Sequence, residues 1–152
     1  MSIAIDERQV RNQALDVRVV KPFQFDNHTP QTPGMLRLAA VSNRPVGSEM
    51  LWAGVMLVDP GTQSSVHHHG HLETVVYMVS GQSKVRWGSR LEHEVDFMPG
   101  DFLFIPPFVP HQEINPSLND ITEWVVVRSG REAVVVNLTK APNGEYVADG
   151  AA

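Results

Sequence analysis

From Met35 onward the chain is a succession of short apolar runs cut by turn residues: MLRLAAV, MLWAGVMLV, ETVVYMVS, SKVRWG, RLEHEVDF, DFLFI, ITEWVVVR and EAVVVNL. Runs this short and this often interrupted suit strands rather than helices, which need a longer stretch to bury a stripe. Gly61, Gly81, Gly88, Gly100 and Gly130 fall between the runs, where a turn most easily takes a positive backbone dihedral. An all-β domain is expected. Several runs, residues 51–58 and 125–127 among them, are apolar on both faces, so both faces must be covered. One cover is a barrel interior. The other is a second sheet or a second copy of the chain, and a homodimer is expected.

The bulk figures narrow what such a barrel can do. At 152 residues the chain suffices for one domain with a sizeable core. Residues 1–34 read as an irregular, extended N-terminal arm punctuated by Pro22, Pro30 and Pro33, with a short helix around residues 6–12. Residues 35–140 read as the barrel and residues 141–152 as a flexible tail. Twelve Lys and Arg against 17 Asp and Glu leave a net charge of −5, which would repel a nucleic-acid backbone. No stretch approaches the roughly 20 apolar residues of a membrane span. The opening MSIAIDERQ has neither a basic start nor a long apolar run, and a cytoplasmic location is expected. The chain has no cysteine, so any metal must be held by nitrogen and oxygen.

Such donors are concentrated in Gly61-TQSSV-His67-His68-His69-Gly70-His71-Leu72-Glu73. Alternate residues of a strand share a face, which puts His67 and His69 on one side, about 6–7 Å apart at the backbone. Two imidazoles can close that gap onto one ion with bonds of about 2.1 Å. A straight strand would carry Glu73 roughly 20 Å from His67, so the chain must turn back, and Gly70 offers the place. A further ligand is expected from a distant segment. His111 is the candidate, because the phrase Pro99-GDFLFI-Pro106-Pro107-FV-Pro110-His111 delivers one polar group from a proline-stiffened loop.

These residues resemble the cupins, specifically the small single-domain bacterial proteins of the cupin-2 type. The first family motif is a glycine, five residues, His-x-His, three or four residues, Glu, six residues and a glycine. Gly61, His67, His69, Glu73 and Gly81 meet it, except that seven residues separate Glu73 from Gly81. Counting back from Gly81 puts Thr74 in the place of the glutamate, so retaining Glu73 requires a local bulge, and His71 is the substitute ligand. The second motif is met by Gly100, Pro106, His111 and Asn115, with Phe108 where the family usually has glycine. The resemblance covers most of the chain. It implies a double-stranded β-helix, or jelly-roll, barrel holding one divalent ion on His67, His69, Glu73 and His111. Manganese, iron, nickel, cobalt, copper and zinc all suit such donors.

Four protein ligands would leave room on an octahedral ion for water, a bidentate substrate or dioxygen. Analogy within the family makes a dioxygenase acting on a small enol, diketone or catechol-like molecule the leading expectation. A Lewis-acid isomerase of a sugar or keto compound, and a non-catalytic binder of a metal or small ligand, are the alternatives. A vestigial site ranks below these. Val75 and Tyr77 share the alternation of Glu73 and are expected to line the interior, with Trp52, Phe102, Phe104 and Trp124 in the core. His28, His68 and His93 lack partner spacing and read as structural; Gln63, Arg86, Gln112 and Glu113 read as solvated polar residues.

Overall fold

The apolar runs form eleven strands in a computed structural model that describes residues 17–150, so the helix expected at residues 6–12 lies outside the described residues. In chain order the strands are β1 (Met35–Val41), β2 (Leu51–Val58), β3 (His67–His68), β4 (Thr74–Ser80), β5 (Ser83–Trp87) and β6 (His93–Phe97). β7 (Phe102–Ile105), β8 (His111–Ile114), β9 (Thr122–Ser129), β10 (Val136–Lys140) and β11 (Tyr146–Ala148) follow. One helical turn, α1 (Asn43–Val46), joins β1 to β2. A five-stranded sheet runs β1-β2-β9-β4-β7 and a six-stranded sheet β11-β10-β3-β8-β5-β6, with every pair antiparallel. This is the double-stranded β-helix that the motifs imply.

The two sheets enclose one core. Trp52, Met56, Val58, Val76, Met78, Trp124 and Val126 from the first pack with Val85 and Phe97 from the second. Trp52 and Trp124 are each 1% exposed, and the Trp124 indole donates to Ser83 Oγ across the sheets at 3.0 Å. Truncating either to alanine should cost about 3–5 kcal/mol.

Two expectations are corrected. On β4 the buried residues are Thr74, Val76 and Met78, so Val75 and Tyr77 point to the outer face instead of the interior. Phe102 and Phe104, expected in the core, are 74% and 57% exposed because they pair with Tyr77 and Val75 on that same outer face. Residues 146–148 form β11, which pairs with β10 through residues 138–140. Within residues 17–34, Asp26 bridges Ala39 and the Gln31 side chain bonds the Arg37 backbone, which sets this segment along β1.

Candidate metal centre

β3 is only two residues long because the chain turns sharply at Gly70, whose φ is 59°. The turn is braced on both sides: Gly70 N–H donates to His68 Nδ1 at 2.9 Å, and Phe108 N–H donates to Gly70 O at 2.8 Å. His68 therefore faces away from its neighbours in a structural role. His67 stands opposite His111 in the β3–β8 pair, so two segments 44 residues apart in sequence bring their rings onto one inward row. His69 joins them just past the strand. The ring centroids lie 4.4 Å (His67–His111), 4.9 Å (His67–His69) and 5.0 Å (His69–His111) apart.

Hydrogen bonding orients all three rings alike. His67 Nδ1 meets Ser65 O at 2.8 Å, His69 Nδ1 meets Val134 O at 2.7 Å, and His111 Nδ1 meets Val109 O at 2.8 Å. A carbonyl oxygen only accepts, so each Nδ1 carries the proton and each neutral ring presents a lone pair at Nε2. Glu113 completes the group. Its Oε2 lies 3.5 Å from His67 Nε2 and its Oε1 3.4 Å from His111 Nε2, and the four donor atoms fall within 4.8 Å of one another. His111 Nε2 is buried with no hydrogen-bond partner. Converging lone pairs, one carboxylate and an orphaned ring nitrogen fit a divalent ion with nitrogen and oxygen ligands.

The structure brings together His67, His69 and His111 as the sequence predicts, but not Glu73. That residue is exposed; its backbone N–H bonds Ser129 Oγ at 3.0 Å, and it precedes the inward-facing Thr74 by one position. The count back from Gly81 thus describes the strand correctly, and no bulge returns Glu73 to the interior. His71, the substitute, is exposed at the turn. Reading Glu113 as a solvated residue missed the carboxylate that does converge. The signal was present: His111-x-Glu113 repeats on β8 the two-residue spacing that pairs His67 with His69.

Burial governs the electrostatics. It pushes the His69 imidazole down to about 2, with the Arg128 guanidinium adding to the effect. Burial also opposes charge on Glu113 and His67, yet their mutual attraction prevails, holding the Glu113 carboxyl well below the usual range and raising His67. The proton that His67 thereby favours would sit at Nε2, where a cation would take its place. Across the gap, the five-stranded sheet presents a row of register partners, Trp52, Arg128, Thr74 and Ile105. Arg128 lies with Cζ 5.4 Å from the Trp52 ring centroid and Nη2 3.4 Å from His69 Nε2. A cavity of about 180 Å³, walled by Val85, Trp87, Leu103, Ile105 and Val109, reaches the centre at His111.

Residues 54–128 match the family model described as a cupin domain. No curated protein matches the chain significantly. Among solved structures, the polyketide cyclase RemF from Streptomyces resistomycificus is 17% identical, over 85% of this chain and 90% of its own, with a TM-score of 0.67. A Klebsiella pneumoniae protein with a double-stranded β-helix domain is also 17% identical, covering 73% of this chain and 84% of its own at a TM-score of 0.59. A Thermus thermophilus protein is 27% identical over 66% of this chain and 88% of its own, at 0.55. These likenesses concern the fold.

Proposed function

Starting from a chain whose residues 54–128 form a cupin domain, we propose that it is a metal-dependent oxidoreductase of dioxygenase type acting on a small organic molecule. The observation that carries this reading is the convergence of three imidazole Nε2 lone pairs and the Glu113 carboxylate within 4.8 Å. A redox-active divalent ion held there would supply Lewis acidity and electron transfer to a substrate and dioxygen. The chain's own residues do the rest. Backbone carbonyls of Ser65, Val109 and Val134 lock the rings. The cavity at His111 gives the approach a mainly apolar lining. The same reading includes a cytoplasmic homodimer.

Protein purified without added metal should carry about one transition-metal ion per chain by elemental analysis, and His111→Ala should remove most of it. Iron- or manganese-loaded protein should consume oxygen with at least one member of a panel of enols, diketones and catechols. Metal retention without oxygen uptake across that panel would sink the dioxygenase reading and leave a redox-neutral site such as an isomerase.

A further inference from the structure

Among the described residues, the charged side chains buried in the barrel are Arg37, Arg128 and Glu113. Two guanidinium charges face one carboxylate. A divalent ion at the centre would add two more positive charges, leaving an excess of three in an interior where buried charges need partners. The hydrogen-bond inventory is short of acceptors at the same place. Arg128 is 2% exposed, yet its Nε and Nη1 have no partner, and Thr74, 1% exposed, has an unpartnered hydroxyl. The remaining nitrogen, Nη2, reaches only His69 Nε2 at 3.4 Å, an atom that an ion would occupy.

Thr74 is the register partner of Arg128 on one side and of Ile105 on the other. Ile105 also walls the cavity that ends at His111. The unpartnered donors therefore lie one strand (Thr74) and two strands (Arg128) in from Ile105 at the lip of an apolar recess. A carboxylate accepts several N–H bonds, carries negative charge and can be joined to an apolar body that suits the recess.

We propose that Arg128 and Thr74 form a carboxylate subsite beside the metal centre, and that the molecule handled there is a small organic acid whose apolar body occupies the cavity along His111. The second clause rests on the proposed function; the subsite itself does not. Bound in this place, the carboxylate partners Arg128, the Thr74 hydroxyl donates to it, and its charge offsets the repulsion between the guanidinium and the ion. Metal and acid should then each tighten the binding of the other by the same factor.

The probes are benzoate and benzamide, which share a shape and differ in charge, titrated calorimetrically into the full chain both metal-free and loaded with Zn²⁺. Benzoate should bind about tenfold or more tighter than benzamide, the scale of a charge-assisted hydrogen bond. Arg128→Gln and Thr74→Val should each erode that preference, weakening benzoate binding by more than benzamide binding. Equal binding of the two probes, no binding of benzoate, or a preference untouched by both substitutions would overturn the subsite. Because Arg128 also stacks on Trp52, Thr74→Val and the unmodified chain keep the test decisive if Arg128→Gln fails to fold. Elemental analysis of the same samples separates the two readings: metal held without benzoate preference removes the subsite alone, and benzoate preference without metal removes the metal centre alone.

Discussion

At the scale of single residues, two glutamates change places. Glu73 satisfies the family spacing approximately but lies one position out of phase with the inward face of β4, whereas Glu113 is in phase with His111 on β8. We expect Glu113→Gln to lower metal affinity by more than the roughly 10–100-fold that loss of a supporting hydrogen bond brings. Glu73→Gln should leave metal content unchanged, both read by elemental analysis. His69 sets the pH dependence of the metal-free protein. Its imidazole is pushed down to about 2 in the fold against 6.5 when unfolded, so between those values the unfolded chain binds a proton that the native state refuses. Glu113 acts in the same direction below 4.5, since its carboxyl is lowered in the fold. His67, raised in the fold, opposes them: its contribution is present in full below 6.5 and is lost as pH rises through its folded value. His68, lowered chiefly by burial, acts in the same direction as His69, and the shift at His69 is larger than the opposing one at His67. Melting temperatures of metal-free protein should therefore fall from pH 7 to pH 5, and His69→Gln should flatten that slope.

At the scale of elements, the turns hold the centre in place. Phe108 sits at φ 61° where the family usually has glycine, and its N–H secures the Gly70 turn. Phe108→Gly should relieve a left-handed backbone that costs a bulky residue about 1 kcal/mol or more. It also removes a ring 5.7 Å from that of His68, so we expect a chemical-denaturation change within about 1 kcal/mol of zero, with metal content retained. Gly81 is different. Its φ is 90°, and a Cβ there would meet Thr122 Oγ1 at 2.7 Å and Ile121 O at 2.8 Å. Gly81→Ala should destabilise by about 2 kcal/mol or more, since both backbone strain and overpacking apply. This glycine was legible as a turn from the sequence, and it also carried the correct phase of β4.

At the scale of the whole molecule, the two sheets present opposite characters to the outside. The six-stranded sheet carries Lys84, Arg86, Glu94 and Asp96, with Lys84–Glu94 at 2.7 Å and Arg86–Glu94 at 2.8 Å. On the five-stranded sheet, register aligns Phe104, Val75, Val127 and Ala53 in one outward row and Phe102, Tyr77, Val125 and Val55 in the next. A continuous apolar face of this kind is a surface for association. The proposed homodimer should pack there, giving twice the 16.9 kDa chain mass by light scattering, and Phe102→Asp should return it to one chain mass. A single chain mass for the unmodified protein would remove the dimer.

The strands, the turn glycines, the jelly-roll expectation and three of the four converging donors could all be read along the chain. Each of these is written in local spacing: apolar runs, glycines between them, and His-x-His on one strand face. Which carboxylate joins the imidazoles was settled only in three dimensions, because a one-residue phase on β4 sends Glu73 outward and Thr74 inward. The folded barrel also brought Arg128 beside His69, a contact across 59 positions that depends on two sheets closing face to face. Strand periodicity states which residues share a face; the closing of the two sheets decides which faces meet.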